Sequence, residues 1–363
     1  MEVGIVGLPQ SGKTTIFNAA TRGKAMATAR PDRPTLGVAK VLDPRLEVLA
    51  GIEDSKKITP AEVTFLDLPA PPEGFGKSAG IGGEMLAHLQ RVDALAVVVR
   101  AFEDPSVIHV LDRIDHLSDA ESLLTELAFV DMAVIERRLS RLKDSLKGAK
   151  ALERQAIERD SALLQRLLSG LEDEIGVADQ QMTEDERKVV TGFGLLTTKP
   201  VVLVANLGES QIPQAGNIET ELAEKFASGR VKTTAVFGML EVDLASMDGD
   251  DEAEFRTDMD LGESGLVKMV RASYDALGLI TFFTVGPKET HAWPIRAGTN
   301  AKGGAGTIHS DLERGFIRSE IVGYDDYVEA RSEAEAKRRG TLRQEGKTYV
   351  LKDGDIVHVL FNV

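Results

Sequence analysis

Eight residues near the start of the chain have the types and the spacing of a loop that binds phosphate groups. Residues 7–14 read GLPQSGKT and fit the pattern G-x-x-x-x-G-K-[ST] at every fixed position. A strand-like run precedes them and a helix is predicted from near Thr14, so backbone N–H groups and the helix N-terminus would point at the phosphates. We expect Lys13 to neutralise the β- and γ-phosphates and the Thr14 hydroxyl to hold Mg²⁺. The predicted contacts are Pro9, Gln10, Ser11, Gly12, Lys13, Thr14 and Thr15.

A carboxylate ends another strand-like run, residues 63–66, at Asp67. This is where P-loop proteins place the acidic residue that orients Mg²⁺ through a water molecule. The alternative is an Asp that simply begins a loop. Because the phosphate loop is present in the same sequence, we predict that Asp67 belongs to the Mg²⁺ site.

Residues 206–209 follow the fifth predicted strand, where GTPases place Asn-Lys-x-Asp to read guanine. Here Leu207 stands in place of the Lys, and Glu209 stands in place of the Asp. The longer Glu displaces the acceptor that would pair with the guanine edge, which weakens the argument for GTP. We predict that Asn206, Leu207 and Glu209 line the base; the alternative is an unrelated loop at a strand end.

The residues named above lie at the ends of short apolar runs that alternate with helical or loop stretches. Such runs, bounded by Gly, Pro or Asp, are typical of strands buried on both faces of a parallel sheet. We therefore expect an α/β P-loop domain with a mostly parallel sheet. The runs occupy residues 3–8, 63–67, 95–100, 201–206 and 233–236.

Residues 118–190 have a different, helical pattern. Ser118 and Glu121 are spaced as a capping box that opens a helix, and apolar residues then recur at steps of three and four. Lys147 and Gly148 mark a break before a second amphipathic run, and a further capping box begins at Thr183. We expect an antiparallel helical hairpin inserted into the sheet domain. The simplest interpretation of its apolar pattern is a pair of packed helices with no chemical role.

The last part of the chain is rich in strand and turn signals. Residues 281–285 and 289–295 flank the turn at Gly286 and Pro287, and two more apolar runs close the chain. We therefore divide the chain into the first part of a P-loop domain (1–117), a helical hairpin (118–190), the second part of the P-loop domain (191–277) and a small β-rich domain (278–363).

Composition limits the remaining classes of function. The 363 residues are 42% hydrophobic, yet no apolar run is long enough to span a bilayer, and we expect neither a signal peptide nor a membrane partner. Without cysteine there are no disulfides, thiolate metal sites or thiol nucleophiles, which fits a reducing compartment and predicts a cytoplasmic protein. The net charge of −15 opposes sequence-blind binding to nucleic acid, although a local basic patch could still make such contacts. We expect no sequence-specific DNA binding.

Nearly end to end, the chain resembles the YchF group of Obg-related P-loop proteins, the Obg-like ATPases, which prefer ATP to GTP. The C-terminal stretches resemble that family's TGS domain, a ubiquitin-like β-grasp module. The resemblance implies a protein of the translation-factor class that binds ATP with Mg²⁺, hydrolyses it slowly and associates with ribosomes. Besides the phosphate loop, it is carried by residues 43–46 (DPRL), 80–83 (GIGG), 98–104 (VVRAFED), 306–311 (GTIHSD), 313–318 (ERGFIR) and 361–363 (FNV).

Some positions depart from the family's pattern. Where the family has Asp-x-x-Gly, this chain has Asp67-Leu-Pro-Ala70, and Pro71 stands where many GTPases place a water-orienting Gln. His109 matches a family histidine proposed to position water, and its alternative is a purely structural histidine. Thr35 is the nearest candidate for the threonine of the first switch, which would also contact Mg²⁺.

Three functions fit these residues. The leading hypothesis is a slow, Mg²⁺-dependent ATPase that acts as a switch. The second is a nucleotide sensor or ribosome-binding module with little or no turnover, favoured by the prolines that follow Asp67. The third is a GTP-preferring switch, favoured by the sequence at Phe237, which lacks the usual pair of small residues beside the base.

Overall fold

The computed structural model describes residues 1–23, 34–68, 83–107, 113–247 and 249–362 and divides into two compact units. The first unit comprises Met1–Val38 and Thr64–Ala276. The second comprises Ala39–Val63 and Leu277–Val363, so a segment from the N-terminal part of the chain folds with the C-terminal residues. The four-segment division derived from the sequence stays a prediction.

Strands and helices alternate through the first unit and mix in the second. The strands are β1 (Glu2–Gly7), β2 (Thr35–Lys40), β3 (Ile58–Thr59), β4 (Glu62–Asp67), β5 (Ala94–Arg100), β6 (Val201–Asn206), β7 (Val231–Val236), β8 (Leu279–Thr284), β9 (Thr290–Arg296), β10 (Phe316–Gly323), β11 (Arg343–Glu345) and β12 (Asp355–Phe361). The helices are α1 (Lys13–Ala20), α2 (Pro44–Glu53), α3 (Gly83–Arg91), α4 (His116–Ser145), α5 (Ala151–Glu172), α6 (Glu184–Thr191), α7 (Ala215–Phe226), α8 (Gly238–Leu244), α9 (Gly249–Asp258), α10 (Gly265–Ala276), α11 (Ala301–Ile308), α12 (Ser310–Arg314), α13 (Tyr324–Ala330) and α14 (Glu333–Arg339). No described helix has both the length and the apolar character that crossing a membrane requires.

The first sheet has the strand order β2-β4-β1-β5-β6-β7. The pairs β1–β4, β1–β5, β5–β6 and β6–β7 are parallel, which confirms the predicted parallel sheet. Every residue of β5 and β6 is buried, as expected for strands covered on both faces, since each is apolar up to its last residue, Arg100 or Asn206. Parallel strands end at the same edge, so the last residues of β1, β4 and β6 (Gly7, Asp67 and Asn206) lie along one edge of the sheet.

The helical insertion is an amphipathic pair, as predicted, but its first helix begins earlier than expected. α4 begins at His116 because Asp115 is its N-cap and accepts a hydrogen bond from the backbone N–H of Ser118 at 3.0 Å. The predicted capping box of Ser118 and Glu121 is therefore wrong. The box at Thr183 is confirmed: its hydroxyl and the Glu186 carboxylate each accept a backbone hydrogen bond.

Apolar side chains from both helices of the insertion form one buried cluster. α4 and α5 follow each other after a loop of five residues, 146–150, and their facing sides are apolar. This burial, rather than helix propensity alone, stabilises the long helices. Its buried members are Ile135, Leu142, Ile157, Leu163, Leu164, Leu167, Leu171, Val177, Val190 and Leu195.

The second unit is built on a mixed sheet of order β11-β10-β12-β8-β9-β3. β12 and β8 pair in parallel, while β8–β9, β10–β12 and β10–β11 are antiparallel. The predicted strand, turn, strand signal around residue 286 is confirmed by the β8–β9 hairpin. Residues 39–63 join this unit through the parallel pair β3–β9 and an ion pair of 2.7 Å between Arg45 and Asp353.

Candidate functional site

The predicted phosphate loop connects the buried strand β1 to helix α1, and its backbone requires glycine at two positions. Gly12 has φ +86°, in the left-handed region, and a Cβ placed on it would lie 2.1 Å from Nδ2 of Asn206. A Cβ on Gly7 would lie 2.3 Å from the carbonyl oxygen of Val98. The two glycines of the motif are thus explained by local geometry.

Lys13 is the first residue of α1, and its side chain is 7% exposed. The ammonium nitrogen Nζ donates to the carbonyl oxygens of Gly7 at 2.9 Å and Leu8 at 3.0 Å, so it lies across its own loop. Burial lowers the pKa of Lys13 to about 8, and the negative charge of Asp67 opposes that shift. A cation that is so poorly solvated gains from the approach of an anion, which suits it to a phosphate group.

Thr14 and Asp67 meet at the C-terminal end of β4. The Thr14 hydroxyl donates to Oδ2 of Asp67 at 2.9 Å, across 53 positions of sequence. The other carboxylate oxygen, Oδ1, is buried and has no hydrogen-bond partner among the described residues. Burial raises the pKa of Asp67, against the lowering effects of Thr14 and Lys13. One hydroxyl and one carboxylate oxygen left for another partner form the hard oxygen set that a small divalent cation prefers.

Asn206 connects the phosphate loop to the loop after β7. Its side chain is 4% exposed; Nδ2 donates to the carbonyl oxygen of Ser11 at 3.0 Å, and Oδ1 accepts from the backbone N–H of Gly238 at 3.0 Å. The hydroxyl of Ser11 is buried without a partner among the described residues. Both ends of the Asn206 amide are therefore occupied by backbone groups, and the residue braces the loop.

The other residues predicted to line the base differ in exposure. Leu207 is buried, and its backbone N–H donates to the carbonyl oxygen of Val236 at 2.8 Å. Glu209 is exposed and begins a short 3₁₀ helix, Glu209–Gln214. Contact of these residues with a base stays a prediction, as do the phosphate contacts of Pro9, Gln10 and Thr15.

Two further predicted site residues have less structural context. Thr35 is the first residue of β2, the strand beside β4 at the edge of the sheet. Its contact with Mg²⁺ remains a prediction. His109 lies outside the described residues, as do Ala70 and Pro71.

The sequence reasoning missed a role for Arg100, the last residue of β5, whose other residues are all apolar. The side chain is 2% exposed and donates to the carbonyl oxygens of Phe102, Asp104 and Val107 at 2.9–3.2 Å. Its guanidinium carbon lies 4.5 Å from the centroid of the Phe102 ring. An Arg at the end of a fully buried strand is rare enough that it could have drawn attention to this loop.

Phe102 lies beside both the phosphate loop and the loop after β6. Its Cε1 atom is 3.8 Å from the Cβ position of Gly12, and its Cβ atom is 3.5 Å from that of Gly208. The backbone N–H of Phe102 donates to the carbonyl oxygen of Asn206 at 3.0 Å. Arg100 therefore holds a ring at the junction of the two loops that the sequence assigned to the nucleotide.

Comparisons with known proteins agree with this arrangement. Residues 2–138 match the family model MMR_HSR1, described as "50S ribosome-binding GTPase". Residues 279–362 match the family model YchF-GTPase_C, described as "Protein of unknown function (DUF933)". The two models thus cover the phosphate-loop region and the C-terminal sheet separately.

Relatives and a solved structure match the whole chain. A protein of Bacillus subtilis (strain 168) named "Ribosome-binding ATPase YchF" is 37% identical over 368 residues, covering 100% of both chains. A protein of Pasteurella multocida (strain Pm70) with the same name is 36% identical over 99% of both. The solved structure titled "Structure of the Schizosaccharomyces pombe YchF GTPase" superposes with a TM-score of 0.85 at 28% identity, covering 99% of this chain and 97% of that one. With these residues, this geometry and this coverage, the chain belongs to the YchF family.

Proposed function

We propose that the chain binds ATP together with Mg²⁺, hydrolyses it slowly and associates with ribosomes as a nucleotide-dependent switch. The observation that carries the proposal is the hydrogen bond between Thr14 and Asp67 next to a phosphate loop whose ammonium group, on Lys13, is buried. The names of the full-length relatives, ribosome-binding ATPases, support both the activity and the partner.

The phosphate chain would be held by the backbone N–H groups of residues 10–14 and by Lys13. Phosphoryl transfer passes through a loose transition state, so positioning and charge stabilisation supply most of the catalysis. Lys13 would exchange its two carbonyl acceptors for phosphate oxygens. Because the ammonium group is already desolvated, little reorganisation would accompany this exchange.

Mg²⁺ fits the residues present. The buried Oδ1 atom of Asp67 lacks a partner among the described residues, and the Thr14 hydroxyl is held beside it. These groups would hold the ion, directly or through water, with Thr35 as a further proposed contact. Bound Mg²⁺ would neutralise charge on the β- and γ-phosphates. His109 is proposed to orient the attacking water, because Pro71 follows the third motif where many GTPases have Gln.

ATP is proposed as the preferred nucleotide because residues 206–209 lack two of the guanine-reading residue types. Leu207 and Glu209 replace Lys and Asp, and the Asn206 amide is engaged with backbone groups. The competing proposal of GTP rests on the loop at Phe237, which lacks the usual small pair. Association with ribosomes supports the proposal that the protein is cytoplasmic.

Turnover distinguishes a slow enzyme from a sensor. Phosphate release is measured at saturating Mg²⁺-ATP and Mg²⁺-GTP, with Lys13→Ala as the control that should not bind nucleotide. We expect ATP turnover on the order of 10⁻³ s⁻¹, comparable to P-loop switches without an activator. If the protein binds ATP but does not hydrolyse it, with or without ribosomes, the nucleotide-sensor hypothesis replaces the ATPase hypothesis. Faster turnover of GTP than of ATP would make GTP the preferred nucleotide.

A further inference from the structure

The exposed end of the helical insertion is strongly basic. We call residues 137–154 the basic tip: they comprise the last residues of α4, the loop 146–150 and the first residues of α5. This stretch has seven basic and two acidic residues, a net charge of +5 in a chain whose net charge is −15. All seven basic residues are exposed: Arg137, Arg138, Arg141, Lys143, Lys147, Lys150 and Arg154.

Few of these charges are used within the fold. Lys147 pairs with Asp144 at 2.9 Å, and the Arg138 guanidinium lies 5.5 Å from the centroid of the Phe193 ring. Four other basic residues of the tip, all of which follow Arg138, have no ion pair. Across the described parts of the chain, no carboxylate oxygen lies within 4.0 Å of their side-chain nitrogens. These unpaired residues are Arg141, Lys143, Lys150 and Arg154.

The basic residues at the start of α5 are electrostatically unfavourable for that helix. Lys150 occupies the N-cap position and makes no side-chain cap hydrogen bond, and Arg154 is the fourth residue of the helix. The N-terminal end of a helix carries partial positive charge, so cations there are unfavourable. Lys150 and Arg154 are also four positions apart, where like charges repel. These two residues therefore do not stabilise the local fold. Arg141 and Lys143, near the C-terminal end of α4, do complement that helix's dipole.

A second basic cluster, on α14, differs from the tip because its basic residues form ion pairs within the fold. On α14, Arg338 and Arg339 both pair with Glu335 at 2.6–2.8 Å. Those cations have carboxylate partners three and four positions away, which is the arrangement that supports a helix. The basic tip lacks such partners for most of its charges.

We propose that the basic tip binds the phosphate backbone of RNA and provides a contact between this chain and ribosomal RNA. Arg141 and Arg154 offer the planar fork that pairs with phosphate oxygens, and the lysines add point charges. A lipid surface would require a larger apolar face; within the tip, Leu152 is the one exposed large apolar residue among those described. The ribosomal source of the RNA rests on the proposed ribosome association, whereas RNA binding itself does not.

The test compares two full-length variants with equal loss of charge. The tip variant carries four substitutions by glutamine: Arg141→Gln, Lys143→Gln, Lys150→Gln and Arg154→Gln. The control variant removes four exposed basic residues elsewhere: Arg187→Gln, Lys188→Gln, Lys232→Gln and Lys337→Gln. Circular dichroism and the melting temperature verify that both variants fold, since Gln is nearly as good a helix former as Lys or Arg.

Binding to a fluorescein-labelled RNA stem-loop is measured by anisotropy from about 50 to 200 mM salt. We expect the tip variant to bind at least tenfold more weakly at low salt, and the slope of log K against log salt to fall by about 3, for four lost phosphate contacts. The control variant should stay within twofold of the unsubstituted protein. Equal affinity and slope for the tip variant would overturn the proposal, as would tip-dependent binding to phosphatidylserine vesicles without binding to RNA.

Sedimentation with purified ribosomes separates this inference from the proposed function. If the unsubstituted chain co-sediments and the tip variant does not, both are supported. If both co-sediment equally, the contact between the tip and ribosomal RNA fails, ribosome association stands, and the anisotropy measurement decides whether the tip binds RNA. If the unsubstituted chain binds the stem-loop through the tip but never co-sediments, ribosome association fails, the ribosomal contact falls with it, and RNA binding by the tip stands.

Discussion

The Thr14 hydroxyl donates to one oxygen of Asp67 at 2.9 Å, and the other oxygen of the same carboxylate is buried without a partner among the described residues. The first turn of α1 and the end of β4 are thereby joined at the edge of the sheet where the phosphate loop lies. A buried carboxylate oxygen left unpaired costs stability. This Oδ1 atom is the carboxylate oxygen that we propose as a ligand of Mg²⁺, directly or through water.

Replacing Asp67 by Asn should weaken the dependence of ATP binding on Mg²⁺. The amide keeps the shape of the side chain but loses its charge, so the ion is held less firmly. In titration calorimetry we expect the Mg²⁺-dependent gain in ATP affinity to fall at least tenfold, about 1.4 kcal/mol. Affinities measured in EDTA should match the unsubstituted protein. The control is Glu62→Gln, an exposed carboxylate at the other end of β4, and an unchanged Mg²⁺ effect in Asp67→Asn would contradict the site.

Replacing Gly12 by Ala should distort the phosphate loop and displace the Asn206 side chain that is hydrogen-bonded to it. The residue has φ +86°, and the new Cβ would lie 2.1 Å from Nδ2 of Asn206, so the bond from Asn206 to Ser11 must break. We expect a loss of about 1–3 kcal/mol in unfolding free energy and a large loss of ATP affinity. Gly216→Ala, in α7 with nothing within 4 Å of its Cβ position, should be neutral or stabilising. Chemical denaturation of both variants checks this, and equal stability would be inconsistent with the described loop.

Asp131 is a buried clamp between α4 and the segment that precedes β6. Its carboxylate accepts from the backbone N–H groups of Leu196 and Thr197, both at 2.7 Å, and from the Thr197 hydroxyl at 2.6 Å. Asp131→Ala would leave these donors buried and unpaired, at a cost of about 2–4 kcal/mol. Amide hydrogen exchange should show lost protection at Leu196 and Thr197. The exposed Asp144→Ala serves as the control, and retained protection in Asp131→Ala would exclude the clamp.

His291 should make the second unit sensitive to mild acid. Its ring stacks on Trp293 with centroids 3.6 Å apart. Burial, together with Lys57, lowers its pKa below 6.5, while Glu289 and Glu62 act in the opposite direction. The unfolded chain then binds the proton more tightly, so the unfolding free energy falls as the pH drops through 6.5 toward the folded-state pKa. Between pH 7.5 and 5.5, the denaturation midpoint of His291→Gln should fall less than that of the unsubstituted protein. An equal fall of the midpoint in the two proteins would refute this.

The candidate site residues whose places in the fold were predicted from the sequence all belong to a short motif or to the end of an apolar run. Residues 7–14, Asp67 and Asn206 needed only the motif pattern and the expectation that parallel strands end at one edge. The start of α4 was misplaced because Asp115 and Ser118 are both good N-caps, and the geometry selects the earlier one.

Residues whose partners are distant backbone groups could not be found in this way. Asp131 binds N–H groups 65 and 66 positions away, and Arg100 binds carbonyl oxygens of the loop that follows it, so neither has a motif. The packing of residues 39–63 with the C-terminal sheet depends on pairs such as Lys57 with Glu289, 232 positions apart. Hydrophobic periodicity contains no information about such partners.

Two proposals can be tested together: the loop from Gly7 to Thr14 binds the nucleotide phosphates, and residues 206–209 favour adenine over guanine. The most direct measurement is calorimetric titration of the nucleotide-free protein with Mg²⁺-ATP and Mg²⁺-GTP, with Lys13→Ala titrated in parallel. We predict ATP binding at least tenfold tighter than GTP binding, about 1.4 kcal/mol, and loss of both in Lys13→Ala. Equal or tighter binding of GTP, or unchanged affinity in Lys13→Ala, would contradict the account.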